Sequence, residues 1–326
     1  MGDWMKSAAR PAVQRPGPVP HGAAGEDPAA VARLTTTVPR EYVHRSALSE
    51  VFLTGCSRLA ENRFRLTGQW PRAHSYFSPS ARRHDLLQVA ETMRQAGLFL
   101  AHTEYGVPLG HRFTFWDVSL TVPPGRLAID PVPTELELDV VCSDLVDHGE
   151  GALEAALEFF LCREGEPLAT GYLRFSTAAS VPSAGTPGMP PVSPSVSAAE
   201  FPELFGRTSP HDVVLTEAAA GAWRLAPDPS HPVLSDDDGP VAGLVALEAA
   251  RQATHAMFTP ARSDLLITKI TCAFVRQPDP LRPCWISTTV LPVTGSGPLT
   301  AQVTARQEGR LVWESHVHAE ITPRLR

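Results

Sequence analysis

The chain is 326 residues long and 43% hydrophobic against 19% charged, enough for one large domain or two average ones with a substantial core. Its formal net charge of −7, from 28 basic and 35 acidic residues, argues against nucleic acid as the main partner, because phosphate neutralisation needs a clustered basic face. No apolar run approaches the roughly 20 residues of a membrane span, and the N-terminus lacks the apolar stretch of a signal peptide. Cys56, Cys142, Cys162, Cys272 and Cys284 have no metal-knuckle spacing, so they read as reduced thiols of a soluble cytoplasmic protein.

Residues 1–37 carry Pro11, Pro16, Pro18, Pro20 and Pro28 among Gly, Ala and Arg, the composition of a disordered tail. A first ordered unit is expected over 38–177. It opens with an extended segment from Glu50 to Thr54 and a shorter one after it. A helix follows from His84 to Leu100, and then alternating strands at 112–122, 135–141, 153–161 and 168–176. Residues 178–200 are nearly all Pro, Ser, Ala, Gly, Thr and Val and read as a linker. The second unit, 201–326, repeats the order: an extended segment from Asp212 to Thr216, a helix from Val241 to Phe258, and strands at 265–275, 285–293, 300–306 and 311–321. Glu-Gly pairs at 164–165 and 308–309 mark the last hairpin of each unit.

The two units also align residue by residue. RSALSEVFLT from Arg45 matches RTSPHDVVLT from Arg207, and FRL at Phe64 matches WRL at Trp223. His74 then matches His231, ETMRQA from Glu91 matches EAARQA from Glu248, and REGEPLATGYLRFS from Arg163 parallels QEGRLVWESHVHAEI from Gln307. Anchors kept in one order point to a tandem duplication. The helix GLVALEAARQATHAMF is apolar on most of its circumference, as expected where a sheet curls around it. The fold class is therefore α+β, a tandem (double) hot-dog forming a pseudo-dimer within one chain.

Chemistry concentrates on the two helices. Glu91 with Arg94 and Glu248 with Arg251 each share a helix face, and Gln95 and Gln252 follow. Their neighbours are apolar, and a buried carboxylate costs several kcal/mol unless paired. A glutamate desolvated in this way is expected to have a raised pKa and to act as general base, with the adjacent arginine on a phosphate or a developing oxyanion. His74 and His231 stand at matching positions ahead of the helices, as hydrogen-bonding or substrate-binding groups. Asp236, Asp237, Asp238, Gly239 and Pro240 read as a helix cap, with no metal site inferred. From Arg40 to Arg94 nine arginines face five acids, a local positive region suited to an acidic carrier protein or a phosphate-bearing substrate.

VHRSALSEVFLTG (Val43 to Gly55), QWPRAH (Gln69 to His74), ETMRQAG (Glu91 to Gly97), HTEYGVP (His102 to Pro108) and LEAARQA (Leu247 to Ala253) together resemble the A-factor biosynthesis family. Its members are bacterial synthases of γ-butyrolactone, butenolide and furan signalling molecules, and the resemblance spans about 38–322. It implies an acyltransferase that joins a β-ketoacyl group from an acyl carrier protein to dihydroxyacetone phosphate, giving a phosphorylated β-ketoacyl ester without metal or redox cofactor. The family's acid and arginine positions fall on Glu91, Glu248 and Arg251. Arg94, Gln95, Gln252, Arg72, His74 and His231 are the accompanying substrate- or phosphate-binding candidates. One departure stands out: SDDDGP replaces the Asp-His pair that usually precedes the family's second helix. A hot-dog thioesterase or dehydratase acting on carrier thioesters, and a non-catalytic acyl- or lactone-binding relative, remain the alternatives.

Overall fold

The computed structural model describes residues 36–77, 82–179, 201–219, 222–236, 239–240, 242–258, 263–292 and 298–323. The expected tail up to residue 35, the linker from 180 to 200, and Asp237 and Asp238 lie outside the described residues. In the first half the strands are β1 (Leu53–Ala60), β2 (Arg63–Trp70), β3 (His111–Thr121), β4 (Thr134–Asp147), β5 (Leu153–Arg163) and β6 (Glu166–Ala179), with helix α1 (Leu86–Thr103) between β2 and β3. The second half has β7 (Leu215–Ala219), β8 (Ala222–Leu225), the two-residue strands β9 (Ser235–Asp236) and β10 (Gly239–Pro240), and helix α2 (Ala242–Phe258). It ends with β11 (Ser263–Phe274), β12 (Trp285–Leu291), β13 (Leu299–Gln307) and β14 (Arg310–Pro323).

Apart from the β9–β10 pair, the described strands form one sheet in the order β1-β2-β4-β5-β6-β3-β11-β14-β13-β12-β8-β7. Reading inward from either edge gives the same sequence of strands, so the duplication seen in the sequence is a two-fold repeat of topology. The halves meet where β3 pairs antiparallel with β11, from Thr121 opposite Lys269 to Asp117 opposite Ala273. Period-two burial explains the strands: in β4, Leu136, Leu138 and Val140 point into the core while Glu135 and Glu137 face outward. The Glu-Gly turns form as expected, with positive φ at Glu164 and Gly165 and again at Glu308 and Gly309.

The concave side of the sheet is filled by the helices. Leu86 to Leu98 of α1 and Gly243 to Thr254 of α2 are buried without interruption, so neither helix keeps a polar face for water. Each half is thus a curled sheet around one helix, and the whole is a tandem hot-dog.

Local starts differ from the sequence expectation. The segments expected to be extended from Glu50 and from Asp212 begin as 3-10 turns, Leu48–Glu50 and Pro210–Asp212, and the strands start at Leu53 and Leu215. In the second half the reason is local: the Ser209 side chain accepts the His211 N–H, and Pro210 occupies the first helical position. Helix α1 starts at Leu86 rather than His84 because Asp85 caps it, accepting the Leu87 N–H at 2.9 Å. His84 instead bonds Gln88 and Thr134.

Candidate functional site

Glu91 and Glu248 lie in the middle of the two buried helices, and their side chains are 1% and 0% exposed. Each carboxylate is enclosed by the same three donors. Glu91 Oε1 accepts from Arg45 Nε at 2.8 Å, Arg94 Nη2 at 3.0 Å and Gln95 Nε2 at 2.7 Å. Its Oε2 meets Arg94 Nε and Arg45 Nη2, each at 2.8 Å. Glu248 Oε1 accepts from Arg207 Nε and Arg251 Nη2, both at 2.7 Å, and from Gln252 Nε2. Its Oε2 accepts from Arg207 Nη2 at 2.6 Å and Arg251 Nε at 2.9 Å.

This geometry corrects the expected rise in glutamate pKa. Burial alone would raise it, but the paired guanidinium groups outweigh desolvation. Arg45 and Arg94 bring Glu91 down to about 2, and Arg207 with Arg251 holds Glu248 well below the usual carboxylate range. Both carboxylates are ionised, with their lone pairs already directed at charged donors.

Arg45 and Arg207 are the partners the sequence reading missed, and each also ties one half to the other. Arg45 Nη1 donates to the Val233 carbonyl and Arg207 Nη1 to the Tyr76 carbonyl, both at 2.8 Å. Arg207 further pairs with Asp85, the cap of α1, at 3.1 Å and lies over the Tyr76 ring, 3.9 Å from its centroid. The signal was present: these arginines open the RSALSEVFLT and RTSPHDVVLT repeats.

The glutamines act on the backbone beside each node. Gln95 donates to the Glu50 carbonyl at 2.7 Å and accepts the Phe52 N–H at 2.9 Å; Gln252 does the same with the Asp212 carbonyl and the Val214 N–H. Each side chain therefore stands in for a strand neighbour at the entry to β1 or β7, and fixes the position of Glu50 or Asp212.

His74 and His231 also share one arrangement. Nδ1 of His74 accepts the N–H groups of Tyr76 and Phe77, and Nδ1 of His231 accepts those of Val233 and Leu234. An Nδ1 that accepts carries no hydrogen, so the ring hydrogen of each sits on Nε2. Burial, helped by the positive charge of Arg45, lowers the His74 pKa to about 4.

Among the expected residues, Glu91, Arg94, Gln95, Glu248, Arg251, Gln252, His74 and His231 are thus brought to the region where the halves meet. Arg94 and Arg251 are each 5% exposed and also bond the Val43 and Gly206 carbonyls. Arg72 is exposed after β2 and makes no contact with this cluster among the described residues. Much of the expected positive region is internally compensated: besides Arg45 and Arg94, Arg58 pairs with Glu104 and Arg65 with Asp139.

The family model described as A-factor biosynthesis hotdog domain matches the chain twice, over residues 26–179 and 195–323. A 2-oxo-3-(phosphooxy)propyl 3-oxoalkanoate synthase from Streptomyces virginiae is 40% identical over 289 residues, covering 86% of this chain and 96% of that protein. Proteins of the same name from Streptomyces coelicolor and Streptomyces griseus are 34% and 32% identical, covering 85% and 88% of this chain and 89% and 96% of theirs. Among solved structures, the 12:0-ACP thioesterase from Umbellularia californica is similar at 12% identity with a TM-score of 0.46, over 80% of this chain and 94% of that one.

Proposed function

The chain belongs to the A-factor biosynthesis hotdog family, and from that membership and the site described above we propose that it is an acyltransferase joining a β-ketoacyl thioester to dihydroxyacetone phosphate. The product is the ester that the relatives' name spells out, a 2-oxo-3-(phosphooxy)propyl 3-oxoalkanoate. The observation that carries this reading is that the Glu-x-x-Arg-Gln node is intact in both halves of a chain 40% identical to such a synthase. The reaction needs an acyl carbonyl held beside a hydroxyl with water kept out, and needs no change of oxidation state.

Within this reading Glu91 and Glu248 act as fixed negative charges. They hold Arg45 with Arg94, and Arg207 with Arg251, so that Arg45 and Arg207 reach carbonyls of the opposite half while Arg94 and Arg251 fix carbonyls of their own around the reaction centre. Gln95 and Gln252 set the backbone at its edge. Arg72, exposed just ahead of His74, is the guanidinium offered to the phosphate. An acyl carrier protein is the proposed donor of the β-ketoacyl group, and the cytoplasm, where such thioesters are made, the proposed compartment. No helix among the described residues is long and apolar enough to cross a membrane.

The test is a product assay by mass spectrometry on the purified full chain with a β-ketoacyl-carrier thioester and dihydroxyacetone phosphate. A phosphorylated β-ketoacyl ester that depends on both substrates supports the reading. Free β-keto acid released equally without the triose phosphate replaces it with a thioesterase.

A further inference from the structure

Duplication gives this site an internal control, because the same two positions appear twice with different outcomes. Glu50 aligns with Asp212 and His74 with His231. In the second half the pair is closed: His231 Nε2 donates to Asp212 Oδ1 at 3.1 Å, and both residues are buried. In the first half the histidine is held by the same two amides, and its Nε2–H has no partner among the described residues. His74 is half-buried where His231 is buried. The Glu50 side chain is 14% exposed, and the nearest cation, Arg45 Nη1, lies at 3.7 Å, beyond hydrogen-bond length. The acid and the neutral imidazole donor of the first half thus lack the mutual hydrogen bond of their copies, of which only Asp212 Oδ2 is left without a partner among the described residues.

Glu50 and His74, at the positions their bonded copies Asp212 and His231 take in the second half, offer one acceptor and one donor, which is what acyl transfer to a hydroxyl requires. The enclosed carboxylates of Glu91 and Glu248 have no such capacity. We propose, resting on the acyltransferase reading, that Glu50 is the catalytic base and that His74 Nε2–H binds the thioester oxygen, which places the working centre in the first half. Glu50 takes the proton from the attacking hydroxyl of dihydroxyacetone phosphate as its oxygen bonds to the thioester carbon. The carbonyl electron pair moves onto the oxygen facing His74, whose neutral N–H stabilises the resulting oxyanion. Collapse of this intermediate breaks the carbon–sulfur bond, and the departing thiolate recovers the proton from Glu50 as a thiol. The ester is released and Glu50 is again a carboxylate.

The charges around the pair suit these roles. Burial raises the Glu50 pKa against the pull of Arg45, with Glu91, His231 and Arg94 also in electrostatic reach. His74 is faced by Arg45, Glu91 and, from the other half, Asp212. Glu50 is thus a stronger base than an ordinary surface carboxylate, and His74 is a donor that stays neutral.

The deciding experiment compares the wild type, Glu50→Gln and Glu50→Asp in the full chain. It measures kcat and KM for formation of the phosphorylated ester as a function of pH, with thermal unfolding of each protein alongside. Loss of a general base predicts a fall in kcat of about 10²–10⁴-fold in Glu50→Gln with KM little changed. Glu50→Asp is expected to keep part of the activity and to shift the acid limb of kcat/KM. Wild-type kcat in Glu50→Gln overturns the proposal and leaves the acyltransferase reading standing. Absence of the ester from the wild type removes that reading, and the proposal with it. Should Glu50→Gln fail to fold, the other two proteins decide: an acid limb displaced between wild type and Glu50→Asp supports Glu50, and superimposable profiles overturn it.

Discussion

A carboxylate inside a helix that has no wet face needs compensation from several directions, and the arginine one turn along supplies it from one side only. At Glu248 the remainder comes from Arg207, whose side chain is 0% exposed and reaches in from a segment distant in sequence. Removing one partner leaves the other charge buried and unpaired. Arg207→Leu is therefore expected to cost about 3–5 kcal/mol in urea unfolding, and Arg207→Leu with Glu248→Leu less than the two single changes added. The sign of the pH response follows from the lowered pKa of Glu91. The unfolded carboxyl gains its proton near 4.5 and the folded one only near 2, so stability is complete above 4.5 and is lost as pH falls toward 2. His74 adds a second window. Its ring is protonated near 6.5 when unfolded and near 4 when folded, so stability declines as pH drops from 6.5 to 4. Midpoints of chemical unfolding between pH 7 and pH 4 should show that decline in the wild type and a weaker one in His74→Asn. The Glu-x-x-Arg face was legible from spacing alone. Its third partner was not, because helical periodicity reports neighbours along a helix and says nothing about which distant arginine meets it. For the same reason the sequence suggested a raised glutamate pKa, which desolvation alone would have produced.

At the level of elements, the entries to β1 and β7 depend on contacts that no propensity encodes. A glutamine from the helix, not a neighbouring strand, takes up the Glu50 carbonyl and the Phe52 N–H. Gln95→Met leaves both backbone groups without a partner beside the core. The cost is on the order of 2–4 kcal/mol, read as a fall of several degrees in the thermal midpoint. A second constraint is steric. Gly68 in β2 passes so close to the preceding segment that a Cβ there would stand 2.7 Å from the Phe52 carbonyl oxygen, a backbone atom that cannot rotate away. Gly68→Ala is expected to destabilise by about 1–3 kcal/mol and, by displacing Phe52, to lower activity through Glu50. The long strands and both helices could be read from period-two and all-round apolar patterns. The 3-10 turns at Leu48–Glu50 and Pro210–Asp212 carry no such signal, because a segment this short has too few residues to establish a period.

Across the whole molecule, the two halves are joined through their backbones as well as their side chains. β3 and β11 make one continuous sheet, the Val122 N–H bonds the Thr268 carbonyl at 2.8 Å, and Gln277 reaches the Phe115 carbonyl at 3.0 Å. On the helix side, Arg45 and Arg207 each cross to the opposite half while holding a buried glutamate in their own. Separating the halves would expose the edges of β3 and β11 and strip both arginines of a carbonyl, which leaves unpaired backbone and charge in each piece. Two consequences can be measured. Chemical unfolding should follow a single transition, coincident by tryptophan fluorescence and by circular dichroism, because neither half is satisfied without the other. A protease site placed between residues 179 and 201 should, once cut, leave the halves together on size-exclusion chromatography with ester synthesis retained, while either half produced alone should fail to fold. Two separated transitions, or a cut protein that falls into two folded pieces, would show that the junction is a docking contact between independent domains. Duplication would then have preserved two proteins side by side, whereas the shared sheet and the crossed arginines describe one protein whose halves depend on each other.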